Sequence, residues 1–191
     1  MENDKSESLQ GHFLISEPFL PDPNFERSVV LICEHSSMGA FGLILNRPTE
    51  VNLYDALEED APLLGTNEHP LFVGGPVEPN TLHFLHAYGN EIEGSIEVVP
   101  GLFWGGDFEQ IKELLVLQRL DSHNIRFFVG YSGWGSGQLE RELAEESWIT
   151  TPAQASDAFL DPPEKLWQQI LRNMGGKFRA LSNYPRDPRL N

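Results

Sequence analysis

The segment Gly130-Tyr131-Ser132-Gly133-Trp134-Gly135-Ser136-Gly137-Gln138 has the spacing most suggestive of chemistry in this chain. We expect it to be a glycine-rich loop between a buried strand and a helix, where backbone N–H groups can bind an anion. Neither a Walker A sequence nor the glycine spacing of a dinucleotide site is present. Glu140 and Glu142, in the first turns of the predicted helix, would also repel a phosphate. We therefore favour a tight structural connection, with an anion site as the alternative.

Two side chains could act as nucleophiles. Ser132 lies in a sequence like the Gly-x-Ser-x-Gly nucleophile elbow, but Trp134 replaces the glycine that lets strand and helix pack closely. Cys33 and His35 are two residues apart on a predicted strand, which places them on one face, roughly 6–7 Å apart. An imidazolium there could lower the thiol pKa. Because cysteine is so often buried, we favour an inert Cys33 within a central strand.

The pair His83 and His86 could indicate a metal site. A spacing of three residues points the two side chains to opposite faces of a strand. The chain also has a single cysteine and no ordered carboxylate spacing of the zinc or calcium kind. We therefore expect no metal site and no cofactor.

Several residues fall at predicted strand ends or in turns, where binding residues concentrate on a rigid scaffold. Arg47 is held extended by the following proline and could offer a fixed cation to a carboxylate. We predict that segments 46–48, 74–76 and 133–138 meet in one surface groove. The candidate ligand- or partner-binding residues are Asn46, Arg47, Gly74, Gly75, Pro76, His86, Tyr131, Gly133, Trp134 and Gln138.

The elements that must position these residues are predicted from periodicity and turn signals. Residues 28–35 are apolar on both faces, which is typical of a central strand, and a Ser-Ser-Met-Gly turn predicts a hairpin with the next strand. Strands clustered early and helices late favour an α+β fold over a doubly wound parallel sheet. The predicted strands are 12–16, 28–35, 41–46, 71–73, 81–88, 96–99, 102–104 and 125–131.

Helix starts are predicted from capping residues. Asn52 and Asp107 are expected N-caps. Thr151-Pro152-Ala153-Gln154 and Asp161-Pro162-Pro163-Glu164 both match a capping box with proline at the first helical position. The last helix should end at Gly175-Gly176.

Composition limits the function classes. The chain has 191 residues and a formal net charge of −16, so it should be repelled by nucleic-acid phosphates and by anionic membranes. Without a secretory signal, a membrane span or a set of paired cysteines, it is expected in the cytoplasm. We divide it into a disordered polar lead (1–10), one domain (11–181) and a basic tail (182–191), and the oligomeric state stays open.

Five segments together are similar to one family of bacterial proteins. They are 25–35, 39–48, 74–77, 85–86 and 130–140. Over about residues 11–181 the chain resembles the YqgE/AlgH family, with departures such as Ser132, where alanine is common. The resemblance implies an α+β fold whose mixed, bifurcated β-sheet is curled toward a pseudo-barrel with helices packed around it. It implies little about function, beyond the transcriptional role in alginate regulation that was proposed with the name AlgH.

Charge and resemblance together give two hypotheses. Because the chain is acidic and has no basic stripe, regulation through direct DNA reading is not expected. The first hypothesis is therefore a non-enzymatic binding or regulatory domain that acts through a protein partner. The second is an enzyme or small-molecule-binding protein that uses the glycine-rich loop 130–138 with His35 or His86, with or without Cys33. A purely structural subunit of a larger assembly stays open beside both.

Overall fold

The computed structural model describes residues 8–57 and 69–185. Ten strands lie within these ranges: β1 (His12–Ser16), β2 (Val29–Ser36), β3 (Gly39–Ile44), β4 (Pro48–Asn52), β5 (Pro70–Val73), β6 (Val77–His86), β7 (Ile96–Val99), β8 (Leu102–Trp104), β9 (Ile125–Gly135) and β10 (Trp148–Pro152). The α-helices are α1 (Leu53–Ala56), α2 (Phe108–Val116), α3 (Gln138–Ala144), α4 (Leu166–Met174) and α5 (Gly176–Leu181). Short 3₁₀ helices lie at Gly89–Glu91, Ala155–Phe159 and Pro163–Lys165.

The long strand β9 organises the sheet. The main path runs β10-β1-β2-β3-β9-β6-β8-β7, and all of its neighbours are antiparallel. The second half of β9 pairs with β3, whereas its first half pairs in parallel with β5, which pairs in turn with β4. The sheet is therefore mixed and forks at β9. The α+β prediction with a bifurcated sheet is confirmed.

The sheet curls into an open half-barrel. Gly11, just before β1, lies so close to β7 that a Cβ added to it would be 2.8 Å from Val99 Cγ1. Side chains from β1–β3 and β5–β10 fill the interior together with α4, which contributes Leu166 and Ile170. A second apolar cluster packs α1 and α2 on the sheet, and a third packs α3 against Trp134 and Trp148.

The capping predictions are confirmed at two helices and wrong at 151–154 and 161–164. At 161–164 a 3₁₀ turn, Pro163–Lys165, follows Pro162, and no side chain caps it. The Asn52 side chain accepts from Tyr54 N in a capping box, and that of Asp107 accepts from Glu109 N. Residues 151–152, predicted to start a helix, instead end strand β10, which pairs antiparallel with β1. The backbone N–H of Ala153 then donates to Gly11 O at 2.9 Å. Pro152 is tolerated because β10 is an edge strand.

The described ends of the chain contact the domain. Ser8 Oγ donates to His35 O, and Leu9 packs on the third apolar cluster, although residues 8–10 belong to the predicted disordered lead. At the other end Ser182 is fully buried, and Tyr184 O accepts from Arg27 Nη2. Residues 1–7 and 186–191 of the predicted lead and tail lie outside the described residues. None of the helices in the described ranges is long and apolar enough to cross a membrane.

Candidate functional site

An open groove of about 670 Å³ lies where the β2–β3 hairpin meets the second half of β9. We call it the mouth groove, since the mouths of β-barrels are common places for ligand sites. It is lined by Gln10, Glu34, His35, Ser36, Met38, Gly39, Ala40, Phe41, Val77, Tyr131, Gly133 and Trp134.

Four stacked or edge-on rings form a row that reaches this groove through Phe41 and Tyr131. Phe41 stacks on Tyr131 with ring centroids 4.7 Å apart, and on Trp104 at 4.6 Å. His83 meets both Phe41 and Tyr131 edge-on, at 5.3 and 5.7 Å. All four side chains are half-buried. The row therefore continues the apolar interior of the half-barrel to the surface.

Glycine at position 133 allows this stacking. Phe41 pairs with Gly133 across the β3–β9 ladder. A Cβ added at Gly133 would lie 3.1 Å from the Tyr131 ring, so the ring covers the backbone that lacks a side chain. Gly133 thus lets Tyr131 lie flat beside Phe41.

Among the described residues that line the mouth groove, Glu34 is the one with a formal charge. His35, at its edge, uses both ring nitrogens. Nδ1 accepts from Leu9 N at 2.9 Å, and Nε2 donates to Glu140 Oε1 at 3.1 Å. With Nδ1 accepting, the proton is on Nε2. The groove therefore combines apolar rings with acidic groups at its rim, and no lysine or arginine is among its described lining residues.

Cys33 and His35 do not share a face, so this prediction is wrong. A β-bulge in the β2–β3 pairing lies between Ile32 and Glu34 and breaks the alternation of side chains. Cys33 points into the first apolar cluster, whereas His35 contacts α3 through Glu140. Burial raises the pKa of the Cys33 thiol well above its ordinary value. Among the described residues around Cys33, none lowers the pKa of the thiol.

We expect Cys33 to be unreactive in the folded protein. The side chain is fully buried, and the thiolate that reacts is disfavoured there. A disulfide reagent such as dithionitrobenzoate should label no thiol at neutral pH within an hour, and one thiol per chain after denaturation. Labelling of the native protein within minutes would contradict this expectation.

The predicted glycine-rich loop is mostly strand. β9 runs on to Gly135, and α3 starts three residues later, after Gly137 in a left-handed conformation (φ 69°). Ser132 is fully buried, and its hydroxyl donates to Gly74 O at 3.0 Å. This geometry is the tight connection that we favoured over a loop that binds anions. Ser132 does not occupy an exposed elbow.

Trp134 and Gln138 belong to a hydrogen-bonded cluster around Glu142. Both indole N–H groups, of Trp134 and Trp148, donate to Glu142 Oε2, at 2.9 and 2.8 Å. Gln138 Nε2 donates to Glu142 Oε1 at 2.9 Å, and its own Oε1 accepts from Gly135 N. The cluster lines a second groove of about 320 Å³, beside Pro76. Both predicted residues therefore join β9 to α3.

Gly74 and Gly75 lie at the fork of the sheet. Gly74 N donates to Val129 O, while Gly74 O accepts from Ile44 N, which ties β3 to β9. A Cβ added to Gly74 would be 2.3 Å from Gly130 O. The pair is therefore needed for the close approach of three backbones.

Asn46 and Arg47 hold the loop that leads into β2. Asn46 Oδ1 accepts from Val29 N at 2.9 Å, and its Nδ2 donates to Arg27 O at 2.8 Å. Arg47 Nη2 donates to the carbonyls of Pro23 and Glu26. Burial lowers the pKa of Arg47, although Glu26 and Asp22 oppose this. Arg47, which we predicted to offer a fixed cation to a carboxylate, thus donates to backbone carbonyls of the protein itself.

His86 is fully buried on the outer side of β6. Its Nδ1 accepts from Tyr88 N, and its Nε2 donates to Gly105 O at 3.0 Å, with Ser95 Oγ at 3.1 Å. Burial lowers the pKa of the imidazole, which favours this neutral form. His83 and His86 lie on opposite faces, as predicted.

The three predicted segments do not meet in one groove. Pro76, Gly133, Trp134 and Gln138 line the groove beside Glu142. Asn46 and Arg47 line another, of about 380 Å³, on the far side of the loop that they hold. The prediction of one shared groove is therefore wrong: Pro76 joins the 133–138 segment at one groove, whereas Asn46 and Arg47 line a different one.

Sequence reasoning missed three members of the aromatic row, namely Phe41, His83 and Trp104. No local signal marks them, because the row forms through pairing between strands that are distant in sequence. Within residues 8–57 and 69–185, no three His, Cys, Asp or Glu side chains are grouped to hold a metal ion.

Comparison with known proteins agrees with this fold over nearly the whole chain. Residues 13–179 match the family model described as AlgH-like. A UPF0301 protein of Cytophaga hutchinsonii is 49% identical over 183 residues, which cover 95% of this chain and 98% of that protein. A UPF0301 protein of Chlorobium limicola is 42% identical over 193 residues, with full coverage of both chains.

Two solved structures are also similar. The solution structure of AlgH from Pseudomonas aeruginosa has a TM-score of 0.74 and 29% identity, covering 97% of this chain and 98% of that one. A crystal structure of a Corynebacterium diphtheriae protein has a TM-score of 0.75 and 26% identity, covering 96% and 95%. The forked half-barrel is therefore shared with both, and the chain belongs to the AlgH-like family.

Proposed function

We propose that this chain is a non-enzymatic binding or regulatory domain of the cytosol, which acts through a protein partner docked in the mouth groove. The observation that carries the proposal is the half-buried aromatic row that opens into the groove. Aromatic side chains dominate the energetics of protein interfaces, because they bury a large area with little conformational entropy to lose.

The chemistry of the groove suggests what the partner presents. Phe41 and Tyr131 line the groove and offer apolar surface to an anchor residue. Met38, at the tip of the β2–β3 hairpin, is 84% exposed and adds a flexible apolar contact. Glu34 and Glu140 at the rim, and a net charge of −16, favour lysine or arginine beside the anchor. The proposed partner segment is therefore basic with an apolar anchor.

The reactive side chains named in the enzyme hypothesis are buried or make structural hydrogen bonds. Cys33 is buried, His86 bonds backbone groups on the outer face of β6, and His35 is held by Leu9 and Glu140. This distribution supports binding over catalysis.

Crosslinking from the hairpin tip tests the proposal. We expect Met38→p-benzoylphenylalanine to capture one partner from native cytosol on irradiation. The matched control is Leu117→p-benzoylphenylalanine, 63% exposed at the end of α2, which should not capture it. Glu34→Lys should lower the yield from position 38 about tenfold through charge repulsion, whereas Glu113→Lys on α2 should not. Equal capture from positions 38 and 117, or no effect of Glu34→Lys, would contradict the proposal.

A further inference from the structure

Another cavity contains a buried cation that forms no ion pair with a carboxylate among the described residues. This cavity, of about 340 Å³, lies between β5, the start of β9 and the connection 159–164. We call it the arginine cavity. Its polar lining includes His69, His123, Arg126, Asp161 and Glu164. It shares no lining residue with the mouth groove.

Arg126 is 93% buried, since 7% of its surface is exposed. The guanidinium lies over the Phe72 ring at 4.3 Å and donates to Leu45 O and Leu160 O, at 3.1 and 3.2 Å. These bonds use two of its five N–H donors. Among the described residues no carboxylate oxygen is within 4 Å of it. Burial lowers the pKa of Arg126 to about 10, so it keeps its charge at neutral pH.

His69 provides an independent observation at the same cavity. The residue is 98% buried, and Nε2 has no hydrogen-bond partner within residues 8–57 and 69–185. The ring rests edge-on against Phe127. Burial lowers its pKa, so the ring is neutral at pH 7, and in the Nε2–H form it can donate to a bound oxygen. A buried polar atom left unpaired is costly, which indicates that a ligand group belongs beside it.

The other charges in the cavity have the opposite sign. Asp161 and Glu164 line it and hold the pKa of Arg126 higher than burial alone would set it. A ligand with only negative charge would be repelled by these two carboxylates. A ligand that carries both charges satisfies the guanidinium and the carboxylates together. The remaining wall is apolar, with Phe72 and Phe159 among its residues.

We propose that the arginine cavity binds a free amino acid with an apolar side chain, its carboxylate on Arg126 and its ammonium group facing Asp161 and Glu164. The guanidinium fork matches a carboxylate in a bidentate arrangement. The cavity volume is at the lower end of the roughly 300–1,000 Å³ usual for small-molecule sites, which suits a ligand of this size.

Titration with L-leucine, followed by the backbone amide signals of Phe72 and Arg126 in NMR spectra, tests this proposal. The matched probes are 4-methylpentanoate, which lacks the ammonium group, and 3-methylbutylamine, which lacks the carboxylate. We expect saturable L-leucine binding below about 10 mM and at least tenfold weaker binding of both analogues. Glu164→Gln should weaken L-leucine at least about threefold and leave 4-methylpentanoate unchanged or tighter. Glu34→Gln, in the mouth groove, is the control and should change neither.

Three results would overturn the proposal. They are no saturable binding of L-leucine, equal binding of 4-methylpentanoate or of inorganic phosphate, and equal weakening of both ligands by Glu164→Gln. Because the probes and variants differ from those of the crosslinking experiment, failure here leaves the mouth-groove proposal intact.

Discussion

Replacing Gly75 by alanine should lower the free energy of unfolding by at least about 4 kcal/mol, a loss that only the most disruptive substitutions cause. Gly75 has a φ of 157°, and a Cβ there would lie 2.2 Å from the carbonyl carbon and oxygen of Tyr131 and 2.4 Å from Ser132 N. These contacts are with backbone, which cannot rotate away. Relief requires that β5 separate from β9 at the fork, where Gly74 also holds β3.

Gly101→Ala is the matched control for this substitution. Gly101 also has a positive φ, 81°, but no heavy atom lies within 4 Å of an added Cβ. It should therefore show only the cost of a left-handed alanine, about 1–2 kcal/mol. Urea unfolding followed by circular dichroism measures both variants. Similar losses in the two would mean that backbone strain, and not the close approach at the fork, decides the need for glycine at position 75.

Elements coded by local signals could be predicted from the sequence. Asn52 and Asp107 cap helices because their side chains reach backbone N–H groups two residues on, a contact that needs no distant partner. The run 28–35 became the central strand β2 because both of its faces are apolar. Such signals act within a few residues, so no knowledge of the fold was needed to interpret them.

Predictions that failed depended on pairing between distant segments. Thr151 and Pro152 have a helix-start pattern, yet the edge of β1 offers hydrogen bonds that a helix start could not use. The bulge between Ile32 and Glu34 turns His35 away from Cys33, and nothing in the local sequence marks it. Tertiary pairing overrides local preference in both places.

The candidate site could be predicted only in part, because some of its residues come together through pairing between distant strands. Tyr131, Gly133 and Trp134 were chosen from one stretch of sequence, and they do line the mouth groove. Phe41 and Trp104 join Tyr131 only through the register of four strands, β3, β6, β8 and β9, so single-segment reasoning passed over them. Arg126 was missed because it is a single charged residue within an otherwise apolar strand. Only the structure shows that it lines a cavity.

Glu142 is expected to stabilise the packing of α3 on the sheet more than any exposed glutamate. Its carboxylate accepts three hydrogen bonds, two of them from the indoles of Trp134 and Trp148, which are 6% and 5% exposed. Phe25 packs on both indole rings and limits their access to water. Glu142→Ala would leave both N–H groups without an acceptor, and each unpaired donor costs about 1–3 kcal/mol.

We therefore expect Glu142→Ala to lower the free energy of unfolding by about 2–4 kcal/mol. Glu145→Ala, an exposed glutamate at the end of the same helix, is the control and should change it by less than about 0.5 kcal/mol. Glu142→Gln should lie between them, because its single amide oxygen can still accept from the indoles but has lost the charge that strengthens those bonds. Denaturant unfolding gives the energies, and a change of the tryptophan fluorescence spectrum of the native Glu142→Ala protein should report the hydrogen bonds that the indoles have lost. An unchanged spectrum with a loss below about 1 kcal/mol would mean that ring packing alone positions the two tryptophans.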